Sequence, residues 1–286
     1  MPESSAAAAV VGRNQADAAA SAPDSGAVRP PAATGGGPVP GARAPVRRPA
    51  ELDLARGPGE VPPPAPGDPP ALWTVDAARH AATAALAAPT VLDDEERRRA
   101  AGFRRDRDRA TYVVAHVALR VLLGAQLGLA PHRVTLVREA CPLCREAHGR
   151  PAVAGGRPHF SLSHSDRLVL LAFAAEPVGA DAEEVPSART AAEIAGALHP
   201  REAAELGGLP AAERPSACAR IWARKEAYLK GIGTGLARDP SLDHLGAAPG
   251  PVEVAGWRVV DVAVPPGFAA AVASPSGKPP TGRKGA

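Results

Sequence analysis

The stretch VGADAEEV, residues 178–185, places two carboxylates two residues apart, at Asp181 and Glu183. On a β-strand, side chains at positions i and i+2 leave the same face, with Cα atoms roughly 6.5 Å apart. Two hard oxygen donors at this spacing can share one cation, and Mg²⁺ takes one or two protein carboxylates together with phosphate oxygens and water. The stretch therefore predicts either a cation site on a strand or a solvated strand end with surface acids.

A second stretch, IWARKEAYLKGIGTGL at residues 221–236, has the pattern of a helix that ends at glycines. Glu226, which follows Asp181 by 45 residues, lies one helical turn before Lys230, in the favourable acid-before-base order. Trp222 lies one turn earlier, so the three side chains form a ridge. An ordinary surface helix with one salt bridge and one aromatic anchor has the same spacing.

A histidine flanked by hydroxyl groups ends an alternating strand in FSLSHS, residues 160–165. Ser163, His164 and Ser165 form a small polar cluster there. No G-x-S-x-G elbow is present, which argues against a serine hydrolase, so a phosphate contact is the better expectation. Upstream, Arg150 in GRP, residues 149–151, is another phosphate candidate.

Residues 93–124 predict one helix, because acidic residues begin the segment and apolar residues then recur at helical spacing. Seven arginines precede Thr111. They form either a solvated basic face or a patch that faces an anion.

Cys141, Cys144 and His148 have the spacing C-x2-C-x3-H, which offers three zinc ligands. Structural zinc sites have four ligands, and no obvious fourth ligand lies nearby in the sequence. The alternatives are a zinc site or a loop with two free thiols.

The remaining pattern predicts an α+β fold, with strands and helices on both sides of a midpoint near Ala175. Strands are expected at residues 133–137, in three segments of 158–185, and at 257–264 and 268–274. Helices are expected near residues 189–197, from residue 199 onward, and near 213–231.

The composition restricts the folded part to about residues 72–274. Fifteen of the 33 prolines lie in residues 1–70, which contain no aromatic residue, so we predict disordered tails at 1–70 and 275–286. No run of 18 apolar residues and no secretory signal is evident, and the three cysteines form no dense framework. These features predict a cytoplasmic protein without a membrane span. The net charge of +3 is weak support for an anionic ligand or an acidic partner.

The order and spacing of these motifs resemble the 4'-phosphopantetheinyl transferase superfamily, of the surfactin-synthetase-activating (Sfp-like) type, over about residues 90–273. The family pattern V-G-(hydrophobic)-D-x-E is matched by Val178–Glu183, where Ala180 is smaller than the usual Ile or Val. The pattern W-x-x-K-E-(A/S)-x-x-K is matched in full, by Trp222, Lys225, Glu226, Ala227 and Lys230. Arg150 replaces the commoner Lys of the family's G-K-P motif.

The resemblance implies an enzyme that moves phosphopantetheine from coenzyme A to a serine of an apo carrier protein and releases adenosine 3',5'-bisphosphate. Asp181, Glu183 and Glu226 are then expected to hold Mg²⁺, or Mn²⁺. Glu226 is the expected proton acceptor, and Lys230 is expected to steady the pyrophosphate. Lys225 is expected to point elsewhere, because adjacent helix positions do not share a face.

The resemblance also implies a pseudo-dimer of two similar α/β subdomains, residues 71–175 and 176–274, with the active site in the cleft between them. The expected partners are acyl or peptidyl carrier proteins of polyketide, peptide or fatty-acid synthases, and we expect a monomer. Contacts to coenzyme A are expected from residues of the central motifs and the basic helix: Arg150, Pro151, Ser163, His164, Lys230, Arg109 and Arg99.

Three other functions remain open at this point. A nucleic-acid-binding protein would use the arginine-rich helix, but it leaves both acidic motifs without a role. A small zinc protein would use the cysteine loop. A family member without activity is the third, and the complete set of acidic residues argues against it.

Overall fold

Within residues 47–277, which the computed structural model describes, the chain forms ten strands and six α-helices. The strands are β1 (Ala50–Glu51), β2 (Ala71–Asp76), β3 (Leu136–Arg138), β4 (Pro151–Val153), β5 (His159–Ser165), β6 (Leu168–Ala174), β7 (Gly179–Glu184), β8 (Val252–Val254), β9 (Trp257–Asp261) and β10 (Phe268–Pro275). The helices are α1 (Ala77–Val91), α2 (Asp94–Ala101), α3 (Asp106–Leu127), α4 (Ala188–Ala195), α5 (Pro200–Gly208) and α6 (Arg214–Ile232).

The strands form two four-stranded sheets and one two-stranded ribbon. The first sheet has the order β1-β2-β6-β5, the second has the order β7-β10-β9-β8, and β3 pairs with β4. Every neighbouring pair is antiparallel except β1 and β2. The prediction of a mixed fold with helices and sheets is confirmed.

The two faces of strand β6 belong to two different apolar cores, as alternation along a buried strand requires. Val169, Leu171 and Phe173 pack into a core with residues of α1 and α3. Leu168 and Leu170 pack instead against residues of β7 and β10. The other face of the second sheet packs on α6. The layers therefore run from α1 and α3 through the two sheets to α6.

The single helix expected over residues 93–124 is two helices, because α2 ends at Gly102 and α3 begins after Arg105. Asp93 and Glu96 form a capping box at the start of α2. These two residues are part of the acidic stretch with which the segment begins. The strand expected at 133–137 is shifted as well. Residues Pro131–Arg133 form a single 3-10 turn, and the strand covers Leu136–Arg138.

Residues 47–70 differ from the expected disordered tail. Ala50 and Glu51 extend the first sheet in parallel to β2, and Leu52 is 1% exposed in the core. The high proline content of residues 1–70 favoured a prediction of disorder, so the short strand was not predicted. One or two apolar side chains, such as Leu52, are enough to anchor a short edge strand. Pro275 ends β10 instead of belonging to a tail. The remaining tail residues, 1–46 and 278–286, lie outside the described residues.

Helix α3 is the one helix in residues 47–277 that is long and apolar enough to cross a membrane. In this structure 72% of its apolar window is buried inside the protein. Its apolar faces are thus used in the core against α1 and the first sheet.

Candidate active site

Strand β7 lies directly against helix α6, and a glycine permits the close approach. A Cβ atom at Gly179 would lie 1.9 Å from the carbonyl oxygen of Ala227 and 2.4 Å from the nitrogen of Gly231, far inside van der Waals contact. Because side chains alternate along a strand, positions 179, 181 and 183 all face α6. The glycine of the first motif thus brings its carboxylates to the helix that carries the second motif.

Asp181 and Lys230 form a buried ion pair at this contact. The Nζ atom of Lys230 lies 2.6 Å from Oδ1 of Asp181, and the Ser163 hydroxyl donates to the same oxygen at 2.7 Å. Asp181 is fully buried, and its other oxygen, Oδ2, has no hydrogen-bond partner. Burial raises the pKa of Asp181, although Lys230 and Ser163 oppose the rise. An unsatisfied buried carboxylate oxygen is costly, so this atom is suited to a further ligand.

Glu226 lies on the other side of the same ammonium group. Its Oε2 atom is 4.0 Å from Nζ of Lys230. Burial and the negative charge of Asp181 raise the pKa of Glu226 to about 7, and Lys230 limits the increase. A carboxyl group with such a pKa can accept a proton near neutral pH.

Lys230 keeps its positive charge between these two acids. Burial alone would lower the pKa of Lys230, but the charges of Asp181 and Glu226 raise it to about 12. Its side chain is 27% exposed, so Lys230 balances two buried carboxylates from a partly exposed position.

Glu183 lies on the same face of β7 but further along α6. It is half-buried, and its charge acts on Lys230 and on Cys218, near the start of the helix. The carboxylates of Asp181, Glu183 and Glu226 do not form a group with all ligand atoms within 4.8 Å. Within residues 47–277, Cys141, Cys144 and His148 form such a group. Asp181 and Glu226 are therefore the closely coupled acids, and Glu183 is the outer one.

Arg150 is brought to the end of α6 that carries Lys230. It donates to the carbonyl oxygen of Gly231 at 2.6 Å and to Oε2 of Glu139 at 2.7 Å. Pro151 begins β4 and pairs with Arg138. The GRP motif thus lies beside the site, with one guanidinium already engaged by protein groups.

Ser163 and His164 are separated by the alternation of strand β5. Ser163 faces β7 and contacts Asp181, whereas His164 lies on the opposite face, which Phe160 shares in the core below α3. The structure therefore brings the Ser163 side chain to the acidic pair and directs His164 elsewhere.

The basic helical segment reaches the neighbourhood of β5 at one point. Arg107 pairs with Asp166 in the turn between β5 and β6, and the Thr111 hydroxyl donates to the Asp166 carbonyl. Arg109 is paired with Asp106 at 2.8 Å on the same helix. Arg99 lies half-buried on α2. The described contacts of Asp181 and Glu226 include neither Arg99 nor Arg109.

Lys225 points away from the site, as expected. Its ammonium group is buried and contacts Oε2 of Glu202 at 2.7 Å, and it donates to the carbonyls of Pro240 and Asp243. Its neighbour Arg224, which the sequence interpretation missed, forms a bidentate ion pair with Asp261 at 2.7 and 2.8 Å. Both residues fix α6 rather than touch the acidic pair.

Two serines of FSLSHS have a role that the sequence interpretation also missed. The backbone N–H groups of Ala180 and Glu184 donate to the hydroxyls of Ser161 and Ser165, at 2.9 and 3.0 Å. Between them, Ala182 donates to Ser163 at 3.3 Å. The alternation of the three serines along one strand could have predicted this role, because it places their hydroxyls on the same face. These contacts, the serine junction (Ser161, Ser163 and Ser165), join the edge strands of the two sheets.

The segment that carries both acidic motifs is similar in sequence to a known protein family. A sequence model described as the 4'-phosphopantetheinyl transferase superfamily matches residues 177–253, which include β7, α6 and both acidic motifs. Residues 177–253 are therefore similar to the 4'-phosphopantetheinyl transferase superfamily. The family resemblance seen in the motifs is thereby confirmed.

Two named proteins are similar to a longer part of the chain. The 4'-phosphopantetheinyl transferase HetI of Nostoc sp. is 29% identical over 187 residues, which are 61% of this chain and 75% of HetI. A Synechocystis sp. protein, slr0495, which is provisionally named as a 4'-phosphopantetheinyl transferase, is 25% identical over 152 residues. That alignment covers 51% of this chain and 59% of slr0495.

Proposed function

We propose that this protein transfers the phosphopantetheine arm of coenzyme A to a serine of an apo carrier protein and releases adenosine 3',5'-bisphosphate. The observation that carries the proposal is the buried array of Asp181, Lys230 and Glu226, formed by the two motifs of the transferase superfamily. The two acids can bind a divalent cation, and that cation together with the partly exposed Lys230 would offset the charge of a polyanionic substrate.

The donor set of the site suits Mg²⁺, with Mn²⁺ as an alternative. The unpartnered Oδ2 of Asp181 and the carboxylate of Glu226 are hard oxygen ligands on either side of Lys230, and Mg²⁺ is bound by one or two carboxylates plus substrate phosphates. Glu183, the outer acid on the same strand face, would complete the set. When bound, the ion supplies charge neutralisation for the pyrophosphate.

The chain's own groups then have distinct roles. Glu226, whose pKa is raised to about 7 by burial and by Asp181, accepts the proton of the attacking serine hydroxyl, which belongs to the carrier. Lys230 places a fixed positive charge where the bridging oxygen of the leaving group becomes negative. Ser163 orients Asp181 through its hydrogen bond.

The binding of coenzyme A extends from this centre. Arg150 and Pro151 lie at the end of α6 beside Lys230. They are assigned with Ser163 and His164 to the nucleotide end, where His164 would approach from the face of β5 opposite to Ser163. Arg99 and Arg109 are assigned to the 3'-phosphate, with the start of α3 near the β5–β6 turn in support.

The fold proposal is an Sfp-like pseudo-dimer whose halves meet near Ala175. In support, the chain passes from the first sheet to the second between Ala174 and Gly179, and each four-stranded sheet packs against a long helix. The proposed partners are acidic acyl or peptidyl carrier proteins of polyketide, peptide or fatty-acid synthases. The enzyme is proposed to act as a cytoplasmic monomer.

Substitution of the two inner acids tests the assignment. Asp181→Asn and Glu226→Gln should each lower the rate of carrier labelling by about 100-fold or more, since proton transfer and charge stabilisation each contribute at this scale. The rate is measured by intact mass of an apo carrier incubated with coenzyme A and Mg²⁺.

Glu213→Gln is the matched control, because Glu213 precedes the same helix and is exposed. Circular dichroism should show unchanged folding for all three variants. Labelling by Glu226→Gln or Asp181→Asn at the rate of the unsubstituted enzyme would contradict the proposed roles.

A further inference from the structure

We propose that Cys141, Cys144 and His148 bind one zinc ion in the loop between β3 and β4. This loop contains no residue of the acidic site, and the proposal does not depend on the transferase activity. One ligand atom from each side chain lies within 4.8 Å of the other two. The Sγ atom of Cys144 is 2.8 Å from Nε2 of His148.

The ligand chemistry favours zinc among the divalent metals. Two thiolates and one imidazole form a soft donor set, and zinc binds such sets in tetrahedral geometry with Zn–S near 2.3 Å and Zn–N near 2.0 Å. Adjacent ligand atoms in a tetrahedral shell of that size lie within 4.8 Å of each other, the limit that the three side chains meet.

The backbone of the loop is wrapped around the Cys141 sulfur. The backbone N–H groups of Leu143 and Cys144 lie close to that sulfur. Cys141 is 1% exposed, so it would bind the ion from the inner side of the loop.

Two further backbone hydrogen bonds close the turn. Cys141 N–H donates to the carbonyl of Glu146 at 2.7 Å, and Arg145 N–H donates to the carbonyl of Cys141 at 2.8 Å. Arg145 has a φ of 69°, a conformation that costs a residue with a side chain of order 1 kcal/mol. Such a conformation persists where the surrounding structure requires it, and Arg145 lies within the turn that contains Cys144 and His148.

The fourth coordination position is open to solvent. Cys144 and His148 are exposed, and Cys218, the third cysteine, is buried elsewhere against Ala191. The site is therefore a three-ligand site that water completes.

The zinc loop (residues 141–148) contacts the end of α6 and is followed closely by Arg150. The Pro142 ring lies 3.5 Å from the position that a Cβ of Gly233 would occupy, and Arg150, two residues after His148, donates to Gly231. Bound zinc would hold this loop in place and so fix the approach of Arg150 to the end of the helix.

The test uses the purified full chain and measures zinc content by elemental analysis. About one zinc per chain is expected. After removal of the metal with a chelator, titration with Co²⁺ should produce thiolate-to-metal charge-transfer absorption that saturates at one equivalent.

Cys144→Ser and His148→Ala should weaken zinc binding by more than about 100-fold. Loss of a hydrogen-bond partner of a metal ligand already weakens metal binding by about 10- to 100-fold, and loss of the ligand itself should have a larger effect. Both side chains are exposed, so the fold is expected to survive. Cys218→Ser, the matched control, and Asp181→Asn should retain the zinc and the absorption band.

Three results would overturn the proposal. One is a full-length protein that retains no zinc and shows no charge-transfer band with Co²⁺. Another is equal zinc binding by Cys144→Ser and Cys218→Ser. The third is a Cys141–Cys144 disulfide in the freshly purified protein, seen as a loss of two hydrogens in the intact mass.

Discussion

At the level of single residues, Glu96 connects helices α2 and α3. Its carboxylate contacts Nδ1 of His116 at 2.9 Å and Nε of Arg120 at 2.6 Å, and both partners lie on α3. Burial alone would raise the pKa of Glu96, but the hydrogen bond and charge of His116, with Arg120, leave it below its ordinary value of 4.5. The charged form of Glu96 therefore stabilises the folded state.

Glu96→Gln should lower the free energy of unfolding at pH 7 by about 3 kcal/mol, the cost of breaking a buried ion pair. Because the folded-state pKa is depressed, this contribution is complete above pH 4.5 and is lost as the pH falls through the folded-state value. Urea unfolding at pH 7 and below pH 4 measures the difference between the two proteins.

The exposed neighbour Glu95 provides the control for this prediction. Glu95→Gln should change stability by less than about 0.5 kcal/mol. A difference between the unsubstituted protein and Glu96→Gln that stays constant down to pH 3 would refute the proposed linkage.

Lys225 shows that a motif residue can serve the structure rather than the chemistry. Lys225→Met leaves Glu202 fully buried without its cation, so the free energy of unfolding should fall by about 3–5 kcal/mol. Adding Glu202→Gln to this variant should recover part of the loss, since the unpaired charge is then gone. Chemical denaturation measures both, and an unchanged midpoint for Lys225→Met would show that the pair is unimportant.

At the scale of elements, the contact of β7 with α6 determines where the acids meet. Gly179→Ala would place a methyl group 1.9 Å from the Ala227 carbonyl and should force the strand away from the helix. We expect a loss of about 3 kcal/mol in unfolding free energy together with a loss of carrier labelling, because Asp181 moves with the strand.

Gly207→Ala is the control for this contact, because Gly207 is in α5 and an added Cβ meets nothing within 4 Å. It should be neutral or stabilising by up to about 1 kcal/mol. Equal stability of the two alanine variants, measured by thermal unfolding, would contradict a tight packing at Gly179.

The elements nearest the site were the ones that local sequence predicted well. Strands β5, β6 and β7 and helix α6 carry strong signals: alternation, an apolar run, and a helical ridge that ends at glycine. The break at Gly102 was missed because charged residues continue across it without a change of pattern. The edge strand β1 was missed because its anchoring, through Leu52, depends on contacts distant in sequence.

Within the site, the motifs predicted which residues meet but not how they are paired. Once β7 and α6 are in contact, the spacing along the strand and the helix accounts for the proximity of Lys230 to both Asp181 and Glu226. The separation of Ser163 from His164, and the outer position of Glu183, depend on the orientation of the two sheets. No local pattern records that orientation.

At the scale of the whole molecule, the serine junction joins the two sheets along β5 and β7. These edge strands are linked by side-chain hydroxyls that accept from the N–H groups of alternate residues of β7. The junction therefore connects the half that carries Arg150 to the half that carries the acidic pair.

The double substitution Ser161→Ala with Ser165→Ala removes two of these contacts and leaves Ser163 intact. Each loss leaves a backbone N–H at Ala180 or Glu184 without its acceptor, at a cost of about 1–3 kcal/mol. Hydrogen exchange should show faster exchange of these two amides. Unchanged protection in the variant would mean that the hydroxyls do not hold the sheets together.

Transfer of phosphopantetheine by the Asp181–Lys230–Glu226 site is tested by intact-mass analysis of a panel of apo carrier proteins. Each carrier is incubated with coenzyme A, Mg²⁺ and the full-length protein. At least one acyl or peptidyl carrier should gain the mass of one phosphopantetheine on its serine, with release of adenosine 3',5'-bisphosphate. If the folded protein leaves every carrier of the panel unchanged in mass, the proposed transfer is wrong.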